Sequence, residues 1–396
     1  MLNTQFSSWP AFDEEEADMV RNVLLSNKVN YWTGSECRKF EREFSKFSNS
    51  KYAVALGNGT LALDIALKAL NIADGDEVIV TSRTFIASIS SIVNAGAVPV
   101  FADVDLSSQN ITPESIRPAL SDKTKAIVCV HLAGWPCDMD EIMAIANEYG
   151  LYVVEDCAQA HGAQYKGKSV GSIGHIGCWS FCQDKIMTTG GEGGMVTTND
   201  KSLWRKMWAY KDHGKSYKAV YEREHPEGFR WLHESFGTNW RMTEIQAAIG
   251  RIQLKRMSDW HKKRLSNANR IWSSAKQCEG LRVPTIPDHI EHAAYKCYVF
   301  AEGGIEIRDK IIREINEQGV PCYSGSCSEV YLEKAFDNTG FRPKERLPNA
   351  KELGETSLMF LVHPTLTKEE VQKTCDVLTE VALANYDSFD HCNTSG

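Results

Sequence analysis

Four short segments of this 396-residue chain combine reactive residue types with backbone that can approach a ligand. One is Ser180-Phe181-Cys182-Gln183-Asp184-Lys185, followed by Thr188-Thr189-Gly190-Gly191-Glu192-Gly193-Gly194. A lysine in Gly-rich, strand-bounded backbone can lose part of its water shell and serve as a Schiff-base nucleophile, where most lysines are simply solvated. In Val153-Val154-Glu155-Asp156-Cys157-Ala158-Gln159 an apolar strand ends in acids, at the edge where open α/β sheets place ligands. A carboxylate there can hold a cationic ring nitrogen; equally it can cap a helix or close an ion pair. Gly57-Asn58-Gly59-Thr60 joins a strand to a helix, so its N–H groups and the helix dipole can face an anion. No Gly-Lys-Ser/Thr follows, which excludes a Walker loop and leaves a tight turn with a Thr N-cap as the plain alternative. In Phe236-Gly237-Thr238-Asn239-Trp240-Arg241-Met242, Asn239 and Arg241 can reach an anion, cap the next helix or line a contact between copies.

No metal site is expected. Cys178 and Cys182 lack a second pair at metal spacing, and His131, His161, His175 and His213 are not spaced as a ligand set.

Positioning these segments requires an alternating frame, and the pattern predicts one. Helices are expected at Asp13–Ser26, Glu36–Phe47, Leu61–Leu70, Ala87–Asn94 and Met139–Tyr149, with a helix start at Thr112-Pro113. Strands are expected at Tyr52–Leu56, Glu77–Thr81, Val98–Ala102, Ala126–Val130 and Leu151–Glu155. This rhythm argues for a parallel or mixed sheet covered on both faces. Between Gly171 and Asn199 helices give way to short strands, Gly177–Cys182 and Gly194–Thr198, on either side of Lys185. The polar, aromatic stretch Tyr210–Trp240 is too long for an ordinary connection and is expected to be functional or to cover a partner. Met242–Ser273 reads as one long helix leading into a second domain, so residues 1–260 form a large α/β domain and 261–396 a small α+β domain. The latter is expected to hold strands Ala294–Ala301 and Leu358–Val362 and helices Ile307–Gln318 and Thr367–Ala384.

Composition narrows the class. With 42% hydrophobic and 24% charged residues the chain is globular, and at ~150 residues per domain it has room for two or three packed units. A net charge of -8 without a basic block argues against nucleic acid or an anionic membrane. The start, MLNTQFSSWPAFDEEE, lacks a signal pattern, and apolar runs are strand-length, far short of the ~20 residues of a membrane span. Twelve cysteines are many, but Cys129, Cys157, Cys178 and Cys182 sit in apolar runs as small hydrophobes. A reduced, cytoplasmic protein is expected, with the sequon at Asn393 a coincidence.

The order of these motifs, from Trp32-Thr33-Gly34 to Pro364-Thr365-Leu366-Thr367, resembles the DegT/DnrJ/StrS sugar aminotransferases. The resemblance implies an aspartate-aminotransferase-like, fold type I enzyme that uses pyridoxal 5′-phosphate (PLP) and works as a homodimer with shared active sites. It implies that Lys185 is the Schiff-base lysine, that Asp156 pairs with the pyridine nitrogen, that Gln159 sits near the ring and its 3-hydroxyl, and that Phe85 stacks on the ring face. Gly59, Thr60 and Ser180 would hold the 5′-phosphate, joined by Asn239 of a neighbouring subunit. Family members that dehydrate sugars carry His where Lys185 stands, so transamination is the implied chemistry. L-glutamate is the implied donor and a keto-sugar nucleotide the acceptor, at C4 of an NDP-4-keto-6-deoxyhexose, for amino-sugar and surface-polysaccharide or O-antigen (lipopolysaccharide) synthesis. Alternatives on the same scaffold are C3 transamination, dehydration or aldol chemistry, and a regulatory protein without turnover. Three departures from the family pattern stand out: a glycine run one residue longer than usual, the aromatic-rich Tyr210–Trp240 segment, and Cys322-Tyr323-Ser324 where relatives show a His-Tyr pair.

Overall fold

The computed structural model describes residues 5–390, so the sequon at Asn393 and the first four residues of the leader reading lie outside the described residues. In chain order the elements begin α1 (Glu14–Leu25), α2 (Glu36–Phe47), β1 (Tyr52–Leu56), α3 (Gly59–Ala69), β2 (Glu77–Thr81), α4 (Ala87–Asn94), β3 (Val98–Ala102) and α5 (Pro113–Ile116). They continue β4 (Thr124–Val130), α6 (Met139–Tyr149), β5 (Tyr152–Asp156), β6 (Gln164–Tyr165), β7 (Lys168–Ser169), β8 (Ile176–Ser180), β9 (Gly194–Thr198), α7 (Lys201–Tyr210) and α8 (Tyr217–Tyr221). The chain then runs through α9 (Glu244–Ala275), β10 (Leu281–Arg282), β11 (Ile290–Glu291), β12 (Cys297–Ala301), α10 (Gly304–Glu317), β13 (Cys322–Tyr323), α11 (Pro348–Thr356), β14 (Ser357–Phe360) and α12 (Lys368–Asp390).

Seven strands form one mixed sheet in the order β1-β9-β8-β5-β4-β2-β3, in which β9 alone runs against the others. Residues that alternate along a strand face opposite sides. Val154, Val128 and Cys178 therefore join α3, α4 and α7 in one core layer. Val153, Ile127 and Cys129 pack with α6 in another, and Ala53, Ala55 and Trp179 pack under α2 and α9. Both faces are covered, as the alternating pattern required.

A second sheet, β10-β12-β14-β13, is antiparallel and packs against α10, α12 and the end of α9. Helix α9 connects the two cores. Thr243 and Gln246 cap its start reciprocally; Ala247 and Met257 pack in the layer beside the large sheet, and Ala268, Ile271 and Ala275 in the core of the small one. Three helices, α7, α8 and α11, have no counterpart in the periodicity reading. The strand expected at Gly177–Cys182 is displaced to Ile176–Ser180, which leaves Cys182 partly exposed in the loop that carries Lys185.

Candidate active site

Pairing of Leu56 and Ser180 with Gly194, of Asp156 with Cys178, and of Val130 with Asp156 brings the ends of β1, β8, β5 and β4 to one edge of the large sheet. The ends of β1, β5 and β8 and the segments after them, with residues 84–88 after β2, line one cavity of about 730 Å³. Gly59, Thr60, Phe85, Asp156, Gln159, Ser180 and Lys185 all line it.

Asp156 ends β5 and is 6% exposed. Its Oδ2 accepts from the Ser88 hydroxyl at 2.8 Å and its Oδ1 from the Ala158 N–H at 3.1 Å. Burial raises the carboxyl above the usual range, against the pull of Ser88 and Ala158, so a cationic partner would relieve it. Three residues on, Gln159 accepts the Ala133 N–H at 2.8 Å, which fixes its carbonyl and leaves its NH2 donors. Ala133 holds φ at 55°, a left-handed conformation unusual without glycine, in the turn after β4.

Phe85 lines the same cavity with its ring 68% exposed, so a planar group can lie on it. Across the cavity, Asn58 caps α3 through the Leu61 N–H, and Gly59 and Thr60 begin the helix, where the first N–H groups have no intrahelical acceptor. A Cβ on Gly59 would stand 2.5 Å from the Ser180 Cβ, so only glycine lets this helix end approach that serine. The result is a small cradle of N–H and hydroxyl donors suited to a phosphate.

Lys185 lines the same cavity. Its carbonyl accepts the Trp9 indole N–H at 2.8 Å, while its Nζ lies 3.7 Å from Asp184 Oδ1 and 5.2 Å from the Tyr295 ring centre. The Tyr295 hydroxyl donates to Asp184 Oδ2. Against its own burial, Asp184 is held below the usual carboxylate range by Lys185 and Tyr295. The extra glycine of the following run has a structural use: Gly190 and Gly191 both take positive φ, 87° and 120°, and Gly191 N–H reaches Thr188 Oγ1.

Glu155, beside Asp156 in sequence, faces the other way. It accepts the N–H groups of Gly171, Ile173 and Gly174 at 2.7, 2.9 and 2.6 Å. His131 Nδ1 accepts from Cys137 N–H, which assigns the ring proton to Nε2 and its hydrogen bond at 3.0 Å to Glu155. With Cys157 these residues form a compact group of metal-ligand types that linear spacing did not reveal. Both ring nitrogens and both carboxylate oxygens are already hydrogen-bonded, so the group holds the 171–174 loop.

Asn239 does not line this cavity. It pairs with Asp212, and Arg241 binds the same aspartate at 2.5 Å, while Thr243 supplies the α9 cap. Sequence reasoning missed Ser88, Tyr295, Lys296 and the Gly325–Cys327 loop, all lining residues. Ser88 lies in an ordinary helix, and the others come from more than a hundred residues beyond Lys185; no local pattern marks them.

These residues fit PLP: a buried carboxylate with no ion pair among the described residues, for a ring nitrogen, an aromatic face, a donor cradle for phosphate and an amine. The sequence profile of the DegT/DnrJ/EryC1/StrS aminotransferase family matches residues 10–379. An aminotransferase structure from Psychrobacter cryohalolentis is 67% identical with a TM-score of 0.93, covering 96% of this chain and 99% of that one. The GDP-perosamine synthase of Escherichia coli O157:H7 is 34% identical over 94% of this chain and 96% of its own. The dTDP-3-amino-3,6-dideoxy-alpha-D-galactopyranose transaminase of Aneurinibacillus thermoaerophilus is 33% identical over 92% and 95%. With its cavity and its relatives in agreement, the chain belongs to the DegT/DnrJ/EryC1/StrS aminotransferase family and is a PLP-dependent enzyme.

Proposed function

We propose that this enzyme moves an amino group from L-glutamate to C4 of a nucleoside-diphosphate 4-keto-6-deoxyhexose, in a homodimer, to make an amino sugar for a surface polysaccharide. The observation that carries the reading is that Lys185, Asp156 and the Gly59–Ser180 cradle all line one cavity. PLP, when bound, supplies a ring that accepts the electron pair left when a proton departs from the donor's Cα. Lys185 would hold the coenzyme as its Schiff-base amine, and its Nζ, freed by the donor, would take the Cα proton as base and give it up again as acid. Asp156 would keep the ring nitrogen protonated, Gln159 would donate to the 3-hydroxyl, and Phe85 would cover the ring face. Gly59, Thr60 and Ser180 hold the phosphate, with Asn239 reaching it from the partner subunit.

The resemblance of the Lys185 loop to C4-acting members supports the C4 position. C3 transamination is the second reading, favoured by the 3-amino product in the name of the Aneurinibacillus relative. Adding L-glutamate to the PLP-loaded enzyme should shift its visible band to shorter wavelength, and the aminated form is then offered 3-keto and 4-keto sugar nucleotides. Recovery of the original band with a 4-keto sugar alone supports the proposal; recovery with a 3-keto sugar alone replaces it with the second reading. No shift with glutamate rejects the donor.

A further inference from the structure

A second cavity of about 730 Å³ opens beside the first, between the N-terminal segment Gln5–Trp9 and Val320-Pro321. The two cavities share Asp184, Tyr295 and Lys296 as walls. Arg264, from α9, lines the second cavity and is 1% exposed. Its Nη1 reaches the Tyr295 carbonyl at 3.4 Å and its guanidinium lies 4.9 Å from the Trp9 ring centre. Nε and Nη2 have no hydrogen-bond partner among the described residues. Those two N–H groups form the side of the guanidinium that matches a carboxylate with two parallel bonds.

The surrounding charges favour an anion. Lys296 and Lys373 line the cavity with Arg264, against the acids Asp184 and Glu317. Asp184 is already engaged by the Tyr295 hydroxyl and by Lys185. Burial lowers Arg264 to about 9 and Lys296 to about 8, as expected for cations short of counter-charge. A buried guanidinium without an acid partner is costly, and a bound carboxylate removes the cost.

We propose that this cavity is a carboxylate subsite in which Arg264 Nε and Nη2 grip the anion and Lys296 adds its charge. Because its walls are shared with the Lys185 cavity, the occupant is the distal carboxylate of a dicarboxylic amino donor, an assignment that rests on the glutamate reading above. A free dicarboxylate offers the same chemistry. The test is calorimetric titration of the PLP-loaded enzyme with glutarate, using butyrate as the monocarboxylate control. Arg264→Gln should weaken glutarate binding by about tenfold or more and Lys296→Met by less, with butyrate weak throughout. Absence of glutarate binding in the wild type, or equal binding in Arg264→Gln, overturns the subsite. If Arg264→Gln fails to fold, Lys296→Met decides: unchanged glutarate binding there overturns the proposal.

The source of the carboxylate is read from the half-reaction with L-glutamate against L-alanine. A preference for glutamate that drops about tenfold or more in Arg264→Gln identifies the donor as occupant. An unchanged preference with lost glutarate binding identifies a free dicarboxylate and keeps the subsite. A wild type that binds glutarate through Arg264 yet ignores glutamate removes the donor reading alone.

Discussion

Glu155 and Asp156 are adjacent, both buried and both acidic, yet they stand in regions of opposite character. Strand alternation sends them to opposite faces of β5. Behind the sheet edge, Glu155 meets three backbone N–H groups and the His131 ring, and every polar atom of that group is matched. At the cavity, among the described residues, Asp156 has two hydrogen bonds and no ion pair, and Lys185 has the loose approach of Asp184 and the Tyr295 ring; behind the lining Trp179, His161 has no side-chain hydrogen bond. Residue type alone cannot separate structure from chemistry here. The difference lies in whether the hydrogen-bonding capacity is used up, because a satisfied buried network rigidifies while an incomplete one awaits a ligand.

The largest effect should come from the amine. Lys185→Ala should abolish the visible coenzyme band and lower turnover by about 10²–10⁴-fold or more, while leaving the thermal midpoint of the coenzyme-free protein nearly unchanged. A variant that kept the band and its rate would place the chemistry elsewhere. Asp156→Asn should follow, with turnover down on the order of 10²-fold and coenzyme held more weakly, since an amide cannot stabilise a protonated ring nitrogen. Without coenzyme this variant should be no less stable than the wild type, because it removes a buried charge that lacks a counter-ion.

Glu155→Gln sharpens the contrast from the other side. The replaced carboxylate leaves N–H donors of the 171–174 loop and of His131 short of acceptors, and stability should fall by about 1–3 kcal/mol in a denaturant titration. The coenzyme spectrum of the folded fraction should match the wild type. Loss of that spectrum at full folding would mean that the two faces of β5 are not independent.

How much of this was legible follows from the range of each signal. Strand and helix bounds in the first half depend on local periodicity, and β1, β2, β3, α2, α4 and α6 lie where the pattern predicts them. Site residues at the sheet edge were readable because they fall at strand ends and in the short segments after them, as with Gly57–Thr60 and Asp156–Gln159. Tyr295, Lys296 and Arg264 were not, since only the path of α9 and the pairing of β12 bring them to the Lys185 loop. Trp9 was invisible for the same reason: its role depends on a hydrogen bond to a residue 176 positions away. Residue type does not separate Glu155 from Asp156, since a one-residue difference in register decides which face each acid takes; only the family resemblance singled out Asp156.

The smallest effect tests the unmatched side through pH. His161 is wedged between Trp179 and Phe181, with ring centres 5.3 and 5.7 Å away. Burial, reinforced by the charges of Lys185 and Arg264, pushes its pKa down to about 3. His292 and His363 are likewise lowered to about 3, chiefly by burial. Each is therefore neutral in the folded protein, whereas in the unfolded chain each takes up a proton near the ordinary pKa of about 6.5. The unfolded state then binds more protons between about pH 6.5 and 3, so stability is fully present above that window and is lost as pH falls through it. His161→Phe keeps the aromatic packing and removes one of these protons, so the slope of stability against pH in the window should become shallower by up to about 1.4 kcal/mol per pH unit. Urea midpoints measured at several pH values for both proteins give that slope. Because the variant removes a ring that must stay uncharged when folded, it should equal or exceed the wild type in stability at the acid end. Equal slopes would mean that His161 is protonated in the folded state, and the unmatched character assigned to this side of the sheet edge would not extend to it.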